Sequence, residues 1–156
     1  MIRKIEELAT KFRVAIESAK NSGCFTADQC FVNFPRGCCG VTSELLARFL
    51  IENGVNEKIS CIYGTYYDYS LELPTHSWLR IGSNLTVDIT GDQFEHYPEP
   101  IKFNEAVYVG PDTRFHSSFE INTEERCNNY YPLDDTYIRR HLSRKKLYQI
   151  ILEYIQ

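Results

Sequence analysis

Between Thr75 and Thr90 the chain alternates apolar and polar residues on either side of a three-residue break, a pattern few folds can accommodate. Ser77, Leu79 and Ile81 alternate with His76, Trp78 and Arg80; past Gly82, Ser83 and Asn84 the alternation resumes, with Leu85, Val87 and Ile89 against Thr86, Asp88 and Thr90. Period two around a cluster of turn residues predicts a β-hairpin. With Gly82, Ser83 and Asn84 as the loop, Ile81 faces Leu85 and the aliphatic residues share one side. His76, Trp78, Arg80, Thr86, Asp88 and Thr90 share the other, because side chains in a strand alternate strictly. This register makes His76 and Asp88 near-diagonal neighbours, with Cα atoms roughly 7–8 Å apart, within reach of a carboxylate–imidazole hydrogen bond. Asp88 lies between Val87 and Ile89, and a carboxylate in so apolar a strand requires a partner.

The rest of the chain frames this hairpin. Ile5, Leu8, Phe12, Ala15, Ile16 and Ala19 recur at helical spacing, and Asn21-Ser22-Gly23 supplies a helix stop. Pro35-Arg36-Gly37 breaks regular structure, and from Gly40 to Asn53 a second helix follows, with Leu45, Leu46, Phe49 and Leu50 as its stripe. Residues 58–67 read as a strand and are followed by a polar turn from Asp68 to Pro74. Residues 106–109 read as a short strand, Asn122 to Tyr131 as a polar separator, and residues 134–155 as one or two helices. The order of helices, strands and helices predicts a single α+β domain spanning residues 1–156, with an antiparallel sheet.

Composition excludes several functions. A net charge of −4 provides no global basic field for nucleic acid. No stretch approaches the roughly 18 apolar residues that span a bilayer. The start of the chain carries acidic residues and lacks the apolar block of a secretory signal, so a cytoplasmic protein is expected, with secretion as an effector left open. The six cysteines show no C-x-x-C spacing, and the histidines no H-x-x-x-H; all six read as thiols, and neither a metal nor a cofactor is expected.

Among those thiols Cys39 is distinctive. It directly follows the Pro/Gly break, where the second helix begins. Unsatisfied N–H groups and the positive dipole end there favour a thiolate, the form that attacks. Cys38, one residue earlier, is its competitor; Cys24, Cys61 and Cys127 lie in loops or apolar strand patterns. Each residue has a plainer role available. A Cys at a helix start is more often a small core residue, and Asp88 could cap the turn at Thr90-Gly91-Asp92. In combination, a nucleophile at a helix start, a base on one strand and an orienting carboxylate on the next point to catalysis.

Phe34-Pro35-Arg36-Gly37-Cys38-Cys39-Gly40 with Ser43-Glu44-Leu45-Leu46, together with His76-Ser77-Trp78-Leu79 and the run Val87 to Phe94, resembles small bacterial Cys-His-Asp proteins of the papain-like and transglutaminase-like superfamily. The likeness covers residues 34–94, and Gly37-x-Cys39 matches its nucleophile motif. It implies a papain/transglutaminase-like fold and a thiol-dependent enzyme with Cys39 as nucleophile, His76 as base and Asp88 as orienting group. The substrate would be a protein or peptide, cleaved, deamidated or transamidated at a peptide or glutamine carboxamide. Gly40 stands where transglutaminases tend to carry Trp, which counts against protein crosslinking. Trp78, on the His76 face, and Gln93, just beyond Asp88, are the candidate substrate-binding residues. His96, His116 and His141 have no evident partners in the sequence. A non-catalytic binding module of the same fold, or a redox protein using Cys38 and Cys39, are the alternative readings.

Overall fold

The structure is a computed structural model that describes residues 1–68, 73–127 and 133–156. Residues 69–72 of the expected polar turn and residues 128–131 of the expected polar separator lie outside the described residues.

Helix α1 (Ile2–Asn21) buries Ile5, Ala9, Phe12, Ala15, Ile16 and Ala19 along one stripe. The Cys24 N–H bonds back to the Ala19 carbonyl at 3.0 Å, and Gly23 N–H to Lys20 at 3.0 Å, so the expected stop is a Schellman-type cap. Helix α2 (Cys39–Glu52) buries Leu45, Leu46, Phe49 and Leu50. Gly37, at φ 76°, turns the chain into it, a left-handed conformation that favours glycine.

Strands β1 (Ile59–Thr65), β2 (Thr75–Ile81) and β3 (Leu85–Asp88) follow, and β2 pairs with β3 through Leu79–Val87, Arg80–Thr86 and Ile81–Leu85. This is the register expected from the Gly82–Asn84 loop. Then come β4 (Tyr108–Gly110), the single-turn helix α3 (Arg114–Ser117), β5 (Glu120–Arg126) and helix α4 (Arg144–Glu153). The five strands form one antiparallel sheet in the order β4-β3-β2-β1-β5. The architecture is α+β, with N-terminal helices, a five-stranded antiparallel sheet and a C-terminal helix. Among the described residues no helix is long and apolar enough to cross a membrane.

Two expectations change. Residues 122–126, read as a polar separator, belong to β5, an exposed edge strand paired with β1. With no buried side, β5 has no apolar alternation to reveal it, and its charged residues suit an edge that must not pair with other chains. Of residues 134–155 only the last part is helical; the described residues 133–143 are not.

The sheet has two different faces. Ile59, Cys61, Leu79, Ile81, Val87 and Ile89 pack with α1, α2 and α4 in an aliphatic core. The opposite face, which carries His76 and Asp88, is closed by Phe94, Ile101, Phe103, Phe115 and Phe119 around Ile62 and Trp78. The polar-looking side of the hairpin is therefore an interior surface, with His76, Trp78, Thr86, Asp88 and Thr90 all buried.

Candidate active site

Cys39 is the first residue of α2, and its N-cap, Cys38, provides no side-chain hydrogen bond. The first-turn N–H groups of a helix lack intrahelical partners, so this end keeps its positive potential beside the Cys39 sulfur. The neighbouring thiols diverge. Cys38 is buried in the aliphatic core, and that burial pushes its pKa up to about 12. Burial also pushes the Cys39 thiol up, but a hydrogen bond with His76, the charge of that ring, and hydrogen bonds from the Ser77 side chain and backbone overcome it. The Cys39 pKa lies below the ordinary thiol value as a result.

The sheet explains how α2, on the aliphatic side, reaches a histidine on the aromatic side. β3 pairs with β2 only from Leu79 to Ile81. His76 and Ser77 extend past that ladder, and it is these two residues that act on the Cys39 thiol.

Asp88 joins the hairpin strands as their register requires. Its Oδ2 accepts from His76 Nε2 at 2.8 Å, and its Oδ1 from the Thr90 backbone N–H at 3.0 Å. Oδ2 also accepts from His116 Nε2 at 2.9 Å. An ionised carboxylate only accepts, so both rings carry a proton on Nε2. Burial would raise the Asp88 pKa, yet the charge of His76 and hydrogen bonds from His116 and His76 hold it well below the usual carboxylate range. For His76, burial pulls downward and the charge and hydrogen bond of Asp88, with Cys39, pull upward more strongly, to about 9. The set is thus electrostatically disposed to a thiolate–imidazolium pair backed by a carboxylate.

With Nε2 committed to Asp88, Nδ1 is the nitrogen available to the thiol. In the neutral ring Nδ1 accepts from Gln93 Nε2 at 3.2 Å, the other amide hydrogen going to the Thr90 carbonyl at 3.0 Å, so a proton on Nδ1 requires Gln93 to give way. Gln93 is therefore brought to the site, against the ring itself. Trp78 takes a different position from the expected cleft wall: it is 1 % exposed, its ring 5.6 Å from that of His76 and 5.2 Å from that of His116. It belongs to the buried aromatic layer, because residues distant in sequence cover the face on which it lies. Phe94, Phe115 and Phe119 complete the enclosure, their ring centroids 5.1, 5.6 and 5.9 Å from His76. The His76 side chain is 0 % exposed, so its ion pair acts in a medium where charges interact strongly.

Three supporting groups escaped the sequence reading. His116, which had no evident partner, hangs from α3 and is held by Thr113 Oγ1 at 2.8 Å from its Nδ1. Arg13, buried on α1, donates from Nη1 to the Ile89 carbonyl at 2.6 Å and grips Asp92 through Nη1 at 2.9 Å and Nη2 at 2.7 Å. That clamp fixes the segment that follows Asp88. Gly91 leaves room for the carboxylate, since a Cβ there would lie 2.9 Å from Asp88 Oδ2 and 2.6 Å from Phe103 Cδ1. The only hint in the sequence was an arginine at a position of the α1 stripe, where an apolar residue would pack.

No protein-family model, no curated protein and no solved structure matches this chain.

Proposed function

We propose that this chain is a papain-like or transglutaminase-like thiol enzyme acting on a peptide or glutamine carboxamide. The observation that carries the reading is Cys39 at the first residue of a helix with its thiol pKa lowered by His76, whose ring is hydrogen-bonded to Asp88. The Cys39 thiolate attacks the carbonyl carbon, and first-turn N–H groups of α2 stabilise the oxyanion. As the tetrahedral adduct collapses, Nδ1–H of His76 gives its proton to the departing amine or ammonia, leaving a thioester. His76 then takes a proton from the acceptor, which displaces the Cys39 thiolate and releases the acyl product. Water as acceptor yields a peptidase or deamidase, and an amine yields transamidation. Asp88 keeps the ring oriented and stabilises its charged form throughout.

A cavity of about 290 Å³ beside Gln93, lined also by Arg36, Phe94, His96 and Tyr97, is a suitable location for the substrate chain. A redox pair of Cys38 and Cys39 has less support, because burial holds the Cys38 thiol protonated.

The test is the rate of alkylation by iodoacetamide against pH, resolved by site. Cys39 should reach half-maximal reactivity below the free-thiol value of about 8.5. His76→Ala should move that midpoint up to the free-thiol value, Cys39→Ala should abolish the fast phase, and Cys38→Ala should leave it unchanged. A Cys39 that titrates as a free thiol and is indifferent to His76→Ala would sink the reading.

A further inference from the structure

We propose that Asp28, Cys30 and His141 form a second site, one that binds a thiophilic divalent cation of the zinc class. Their donor atoms lie within 4.8 Å of one another, although the chain separates His141 from the other two by more than a hundred residues. The backbone holds the two segments together: Gln29 N–H donates to the Arg140 carbonyl at 2.7 Å, and Leu142 N–H to Asp28 Oδ2 at 2.9 Å. Ligands so anchored need little ordering when a cation arrives.

The lone pairs leave room for a metal. Asp28 Oδ1 accepts from two backbone N–H groups, Cys30 at 2.9 Å and Phe31 at 2.7 Å. Among the described residues Oδ2 accepts a hydrogen bond only from Leu142, which leaves it one lone pair. His141 Nδ1 stands 3.8 Å from that oxygen, too far for a hydrogen bond. Two donors sharing a tetrahedral zinc, each about 2.0–2.2 Å from it, sit roughly 3.3 Å apart. The existing gap is thus near what a bridging cation imposes, and a contraction of about an ångström would bring in the Cys30 sulfur.

The donor set selects the cation. Thiolate and imidazole favour zinc-like ions over calcium or magnesium, which prefer oxygen. With the carboxylate and the thiolate both charged, a divalent ion leaves the site neutral. A fourth position is open, since Cys30 and His141 both line cavities of about 830 and 290 Å³. Three protein ligands with one exchangeable position match open zinc sites more closely than closed structural ones. Neither D-x-C nor a distant single His is a recognisable zinc spacing, so only the tertiary structure discloses the cluster.

The experiment is a titration of the whole chain, reduced and freed of metal, with Co²⁺, followed by thiolate-to-cobalt charge-transfer absorption in the near ultraviolet. A saturable band reaching one cobalt per chain, bleached by Zn²⁺, is expected. Cys30→Ser should abolish the band, and His141→Ala should weaken binding at least about tenfold; circular dichroism checks that both variants remain folded. Two other thiol sites could capture cobalt: Cys39 with His76, and Cys61 with Cys127, whose sulfurs are 2.6 Å apart. The band should therefore persist in Cys39→Ser and in Cys127→Ser. Absence of a saturable band in the wild type, its survival in Cys30→Ser, or its loss in folded Cys39→Ser or Cys127→Ser overturns the proposal. The outcome is independent of whether Cys39 is a nucleophile.

Discussion

Among the described residues are two Cys-His-Asp clusters, and their surroundings differ. In the first, Asp88 turns Oδ2 toward His76 and His116, the imidazole of His76 is sealed from water, and the thiol pKa falls. In the second, three backbone N–H groups occupy Asp28, and the His141 side chain is 34 % exposed and 3.8 Å from the carboxylate. Burial and the charge of Asp28 raise the Cys30 pKa. The same three residue types therefore lower a thiol pKa in one place and raise it in the other. What the carboxylate faces, and whether the imidazole is dry, decides between the two.

The comparison breaks most sharply at the carboxylates. Asp88→Asn should cost about 3 kcal/mol of stability in urea denaturation, because it leaves the buried His76 imidazolium without its counter-charge. It should also move the alkylation midpoint of Cys39 upward. Asp28→Asn should leave the Cys39 midpoint where it is; a shift there would show that the two clusters are coupled.

Gly91→Ala comes next. The new methyl would collide with Phe103 and Asp88 Oδ2, and overpacking of this kind costs about 1–3 kcal/mol. The same urea measurement should show that loss together with a smaller upward shift of the Cys39 midpoint, since the carboxylate must move.

The pH dependence of stability has two limbs with opposite signs. The folded pKa of His76 is raised from 6.5 to about 9, so its contribution is complete below the unfolded value and is lost as pH rises through about 9. Asp88 is depressed from 3.8, so its contribution is present above that value and is lost as pH falls through its lower folded value. Urea midpoints measured from pH 6 to 10 should decline for the wild type toward the alkaline end, and His76→Gln should flatten that decline.

The smallest effect is expected at His116. His116→Gln keeps a donor in reach of Asp88 and should cost about 1 kcal/mol, with a slight change in the Cys39 midpoint. An effect as large as that of Asp88→Asn would mean that His116, and not His76, is the main partner of the carboxylate.

The hairpin register, the helix that begins at Cys39 and the diagonal pairing of His76 with Asp88 were all legible beforehand. Each depends on a local period or a nearby turn, and a three-residue loop at Gly82–Asn84 leaves β2 and β3 one register that keeps their aliphatic residues together. The aromatic cover was not legible. Phe94 ends a short 3-10 helix, Phe115 sits in the single-turn α3, and Phe103 and Phe119 lie in loops; elements so short have no periodicity to mark a buried side chain, and their common destination depends on the whole chain closing over the sheet. The enclosure of Trp78 was hidden for the same reason. Arg13 was hidden because an arginine in a helical stripe says nothing about a carboxylate 79 residues away.

By itself, then, the sequence determined the elements that carry the thiol, the imidazole and the carboxylate, because short-range periodicity and turn chemistry act within a few residues. Tertiary structure decided what surrounds them: the second histidine on Asp88, the dry enclosure of His76, the arginine clamp on Asp92, and the meeting of His141 with Asp28 and Cys30. Those features arise from contacts between segments far apart in the chain, where the environment of a charge, more than its identity, governs its chemistry.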